Sequence, residues 1–144
     1  MEKSFHHTLM KAYFSFHRTV MEQAKNAGLT SGQPKILEFL SESDGVEQKV
    51  IAAHCEIETA TAGSILTRME SAGLIERRRQ DGNRRSIYVY LTTSGRKAAE
   101  KIQQIFAEAE KRAFDGIPAE EIELLCRDLK KIYTNTVGTE EISW

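Results

Sequence analysis

The residues best equipped for chemistry in this chain are arginines and hydroxyls, and they lie close together. Arg77-Arg78-Arg79 and Arg84-Arg85 flank Gln80-Asp81-Gly82-Asn83, and just upstream Thr59, Thr61, Ser64 and Thr67 recur around Gly63 and end beside Arg68. Guanidinium groups bind phosphate in a planar fork and fit the negative potential of a narrow minor groove. Small hydroxylated side chains suit base edges: a threonine methyl meets a thymine methyl, and hydroxyls bond bases or phosphates. The chemistry these residue types suit is recognition of duplex nucleic acid, with no bond made or broken. Thr59, Thr61, Gly63, Ser64, Thr67 and Arg68 are the expected groove-reading residues, with Gly63 permitting close backbone approach. Arg77, Arg79, Asn83, Arg84 and Arg85 form the expected second contact. Arg77 and Arg79 share one side of an extended segment and Arg78 takes the other, so some of these arginines should pair with Glu70 or Glu76 and some with phosphate.

Overall charge conceals this segment. The 144 residues carry a net charge of −1. From Arg68 to Lys97 there are eight basic and three acidic residues, a net +5, while the remainder has 12 basic and 18 acidic residues, a net −6. One concentrated basic stretch in a near-neutral chain is a local electrostatic footprint.

Enzymatic chemistry finds little to work with. His54 and Cys55 are adjacent, but neighbours on a helix point about 100° apart, so they do not form a nucleophile–base dyad. There is no nucleophile elbow, phosphate loop or zinc spacing among the four histidines and two cysteines. No enzyme, cofactor or metal site is expected. Cys55 and Cys126 read as free thiols of a reducing compartment. No apolar run reaches membrane-spanning length, and MEKSFHHTLM lacks a basic region followed by an apolar stretch, so a cytoplasmic protein with no membrane partner is expected.

Periodicity supplies the elements that position these residues. Ser4–Lys25 repeats apolar residues at helical spacing, and Asn26-Ala27-Gly28 stops it. Leu29–Ser43 restarts with Thr30 or Ser31 as N-cap and Pro34 in the first turn; Asp44-Gly45 breaks it. Val46–Cys55 reads as a short helix, Glu56-Ile57-Glu58 as a link, and Thr59–Ala72 as a helix with Ala62, Ile65, Leu66 and Met69 inward and Gly73 just past its end. The period then changes to two over Leu74–Arg79 and Ser86–Leu91, with Asp81-Gly82-Asn83 as the turn. Thr92 or Thr93 caps a helix running to about Phe114. Gly116-Ile117-Pro118 interrupts, and a last helix is lined by Ile122, Leu125, Leu129, Ile132 and Tyr133. Two short helices followed by a hairpin make a winged helix-turn-helix over 29–92. The fold class is mainly α with a small β-hairpin wing. The flanking segments 1–28 and 93–144 have wide apolar faces and form a helical dimerisation region, which makes a second copy of the chain the expected partner.

Thr61, Met69, Gly73-Leu74-Ile75, Arg77, the wing segment Asp81-Gly82-Asn83-Arg84-Arg85, and Leu91-Thr92-Thr93-Ser94-Gly95 together resemble the MarR family of winged-helix regulators, as does Leu29-Thr30 followed by Gln33 and Leu37. The resemblance covers nearly the whole chain and is strongest over 59–95. Asn83 departs from it, standing where the family often has an aspartate two residues before the wing arginine. The resemblance implies a homodimeric transcription regulator, a repressor, on a pseudo-palindromic operator. It also implies a small-molecule effector bound between the DNA lobe and the helical region, for which Tyr13, Phe16, His17 and Phe39 are the candidate lining residues. Two alternatives stand beside this: a redox response through Cys55, and a winged helix used for protein interaction.

Overall fold

The computed structural model describes residues 4–138 except Asp81, with only the backbone described for Arg84. Along the chain run α1 (Phe5–Asn26), α2 (Gln33–Glu42), β1 (Val46–Glu47), α3 (Gln48–His54), α4 (Thr59–Ser71), β2 (Ile75–Gln80), β3 (Asn83–Leu91), α5 (Thr93–Ala113) and α6 (Ala119–Val137). Contacts divide the chain into two units, Met1–Ala109 and Glu110–Trp144.

Most boundaries follow from local chemistry. Gly28 and Gly73 take left-handed backbones that end α1 and α4 in Schellman turns, with Leu29 N–H and Leu74 N–H reaching back to the carbonyls of Ala24 and Met69. The turn after α3 has the same form, with Ile57 N–H on the Ala52 carbonyl, but Glu56 takes the left-handed position at φ 53°. Thr92 caps α5 as anticipated: its Oγ1 accepts the Gly95 N–H at 3.0 Å and donates to the Gly73 carbonyl at 2.6 Å. Gly95 cannot be replaced without movement, because a Cβ there would run into the Leu74 carbonyl oxygen.

Three local expectations are corrected. No hydroxyl of Thr30 or Ser31 caps α2. Its N-cap is Gly32 at φ 84°, and the Gln33 side chain instead accepts the Thr30 N–H at 3.1 Å. Val46-Glu47 is not helical. It forms a strand on β3, Val46 opposite Val89, and its neighbour Asp44 accepts the Leu91 N–H at 2.8 Å. The hairpin also reaches further than the alternation suggested: β3 begins at Asn83, so Arg84 and Arg85 lie on a strand and not in a loop.

The sheet order is β1-β3-β2, all antiparallel. Ile75, Val89 and Leu91 face the interior with Ile36, Leu37, Leu40, Ile51, Leu66 and Met69. Val20 and Ala24 of α1, and Ala99, Ile102 and Ile105 of α5, are buried in the same cluster. The winged lobe thus shares one core with parts of the helices that flank it in sequence. In the second unit, Ile117 N–H bonds the Phe114 carbonyl, Pro118 opens α6, and α6 buries none of its residues. None of the described helices is long and apolar enough to cross a membrane.

Candidate nucleic-acid interface

The helix expected to read a groove is α4, oriented by Ala62, Ile65, Leu66 and Met69, which are all buried. Helical spacing then puts Ala60, Ser64, Thr67 and Ser71 on one outward stripe, and all four are exposed. Ala60 and Ser71 share this stripe but were not singled out from the sequence, although the i, i+4, i+7, i+11 series contains them. Thr61 and Arg68 occupy one flank of the stripe, Thr59 and Gly63 the other.

The residues expected to read bases do not behave alike. Thr59, Ser64 and Arg68 are exposed. The Ser64 hydroxyl donates to the Ala60 carbonyl at 3.3 Å. Gly63 is half-buried against α3, where an added Cβ would lie 3.2 Å from Gln48 Nε2. Its missing side chain makes room for Gln48, a role beside the close backbone approach expected of it. The Thr67 hydroxyl donates to the Gly63 carbonyl at 2.9 Å and accepts from Arg77 Nη2 at 3.0 Å.

On the wing, the alternation sends Arg77 and Arg78 to opposite faces, and both find carboxylates, as the pairing with Glu70 and Glu76 anticipated. Arg78 bonds Glu76 at 2.8 Å and lies 4.4 Å over the Tyr90 ring. Arg77 turns toward α4. Its Nη2 is 3.2 Å from Glu70 Oε1, its Nη1 is 3.5 Å from Gln48 Oε1, and its backbone N–H donates to Glu70 Oε2 at 3.0 Å. Hydrogen bonding by the Arg77 guanidinium holds the Glu70 carboxyl below its ordinary range. Glu70 was anticipated as a partner of these arginines, but Gln48 was not, since nothing in its spacing marks it. Arg79 and Arg85 are exposed, and the Arg84 side chain lies outside the described residues. Asn83 bridges two of its neighbours on β3. Its Oδ1 accepts the Arg85 N–H at 3.2 Å and its Nδ2 donates to Ser86 Oγ at 3.2 Å. The residue that departs from the family pattern therefore holds the backbone of Arg85.

A cavity of about 520 Å³ lies behind α4. Tyr13, Phe16 and His17 line it as expected, together with Phe106 from α5, the α3–α4 turn, and Thr61 and Ile65 of α4 itself. Tyr13 and His17 are stacked at 5.7 Å. Phe39 is not part of this lining; its ring stacks on His54 at 4.0 Å. Cys55 is buried, its Sγ donating to the Lys35 carbonyl at 3.6 Å, and desolvation pushes the thiol up to about 11. A thiol so protonated makes a poor redox trigger at neutral pH. Among the described residues no group of three or more histidines, cysteines and carboxylates is placed to hold a metal ion.

The MarR family model matches residues 29–87, from the turn before α2 into β3. The chain is 30% identical over 121 residues to the HTH-type transcriptional regulator FarR of Neisseria gonorrhoeae, covering 83% of this chain and 79% of that one. Among solved structures, the S. aureus MepR–DNA complex is similar with a TM-score of 0.85 at 24% identity, covering 93% of this chain and 99% of that one. CouR from Rhodococcus jostii RHA1 bound to p-coumaroyl-CoA has a TM-score of 0.83 at 20% identity, covering 95% and 96%. Identities this low establish a common fold.

Proposed function

Since this chain belongs to the MarR family of DNA-binding transcriptional regulators, we propose that it is a homodimeric repressor. Each copy lays α4 in a major groove of a pseudo-palindromic operator and the wing arginines against the neighbouring backbone and minor groove. An organic effector in the cavity modulates the grip. The observation that carries this reading is the continuity of the outward stripe of α4 with the basic hairpin, the main concentration of positive charge in the sequence. Dimerisation is supported by apolar side chains left exposed on two helices: Phe5, Leu9, Met10, Tyr13 and Phe14 of α1, and Leu124 and Leu125 of α6. Regulation through the cavity is supported by its walls: a ligand there touches Thr61 and Ile65, which belong to the recognition helix. The CouR relative supports it in kind, being a member of the same fold with an aromatic acyl-CoA bound.

Two-fold symmetry dictates the test. Fragments selected by the protein from random-sequence duplex DNA should contain a pseudo-palindrome with half-sites roughly 10 bp apart or a near multiple. Retention of DNA without any sequence preference would replace this reading with an architectural role.

A further inference from the structure

Arg77 invites assignment as a phosphate contact, but its surroundings argue otherwise. Its side chain is 20% exposed, and it meets three partners: Glu70 and Thr67 on α4 and Gln48 on α3. Glu70 takes both the guanidinium and the backbone N–H of Arg77, so one carboxylate fixes the root of the wing twice. Gln48 reaches the group because Gly63 presents no Cβ in its path. Two helices thus converge on one guanidinium carried by β2.

We propose that Arg77 is a positioning residue that, with Glu70, Thr67 and Gln48, fixes the attitude of α4 relative to the wing, and that it does not itself contact DNA. The outward stripe of α4 consists of Ala60, Ser64, Thr67 and Ser71, all with short side chains. Short side chains cannot compensate for a tilted helix by reaching, so selectivity between sequences depends on how firmly the helix is held. The proposal rests on α4 being the groove-reading helix.

The test uses the full-length protein, a duplex selected by the unmodified protein from random sequence, and a scrambled duplex of the same composition. Glu70→Ala should weaken binding to the selected duplex roughly tenfold. Glu70→Gln, which keeps an acceptor for Arg77, should recover most of that loss. Neither should weaken binding to the scrambled duplex, because each removes a negative charge near DNA. If Arg77 is instead a phosphate contact restrained by Glu70, both variants will bind both duplexes more tightly, and the proposal fails. Arg77→Ala, checked for folding by circular dichroism, should leave the slope of log affinity against log salt unchanged; a slope shallower by about 0.9 marks a lost phosphate contact and overturns the assignment. A failure of the underlying reading appears separately, as an unmodified protein that selects no sequence.

Discussion

Replacing Gly63 by alanine sets two effects of opposite sign against each other. A glycine inside a helix costs about 1 kcal/mol relative to alanine, part of it through the freedom of the unfolded chain. Against this, the new Cβ would lie 3.2 Å from Gln48 Nε2, so something must give by a few tenths of an ångström. What gives is the tip of a flexible side chain, and its movement weakens the 3.5 Å contact between Gln48 Oε1 and Arg77, worth about 0.5 kcal/mol. The gain wins, and Gly63→Ala should stabilise the fold by roughly 0.5 kcal/mol, raising Tm by about 1–2 °C in a chain of this size. Thermal melting followed by circular dichroism at fixed protomer concentration measures it, since the melting of a dimer varies with concentration. Binding to a selected duplex should fall by no more than about threefold, because the methyl points at α3 and the Arg77–Glu70 pair survives. A Tm lowered by more than about 2 °C would refute the estimate by showing that α3 and α4 have no slack between them. A stable variant with affinity lost by a hundredfold would instead mean that the bare backbone at Gly63 faces DNA.

The wing and the buried cysteine carry two further expectations. Arg84→Ala with Arg85→Ala should weaken binding and flatten the salt dependence by about 1.8 if both arginines neutralise phosphates; unchanged affinity at physiological salt would remove the wing from the interface. In a Cys126→Ser background at pH 8, Cys55 should be alkylated by iodoacetamide about a hundredfold more slowly than in the denatured chain, because a thiol raised from 9.0 to about 11 holds about a hundredth of the thiolate. The rate should climb with pH toward that value, and modification as fast as in the denatured control would restore Cys55 as a sensor.

The helices and the hairpin were legible because they rest on local signals. Glycines at the ends of α1 and α4, Thr92 before α5 and the period of two along β3 each act within a few residues. What escaped depends on partners distant in sequence. Val46-Glu47 is too short to show a period, and only its pairing with Val89 and Tyr88 makes it a strand. Phe39 was put forward as a crevice-lining candidate, and nothing local could show that His54 would take its ring. Spacing showed that Arg77 and Arg78 diverge, but not that Gln48, 29 positions upstream, would help enclose Arg77. Hydroxyl-rich composition pointed to α4, yet composition cannot rank residues around a helix, and so Thr61 was grouped with Ser64, and its place in the cavity lining was not foreseen.

The sides of α4 have separate duties. Ala62, Leu66 and Met69 anchor it in the core, Thr61 and Ile65 meet the cavity, Gly63, Thr67 and Glu70 meet α3 and the wing, and a narrow outward stripe remains, which the proposed function assigns to bases. Thr67 belongs to two of these sides, its hydroxyl already shared between the Gly63 carbonyl and Arg77. A helix with so few free reading groups gains selectivity from where it is held more than from what it carries. An effector pressing on Thr61 and Ile65 and a network pulling on Thr67 and Glu70 act on opposite flanks of the same rigid rod. A shift of about 1 Å at either flank is large against the tolerance of a hydrogen bond to a base edge. If the proposed function holds, sensing requires no unfolding of α4, only a small displacement of a helix held from both sides.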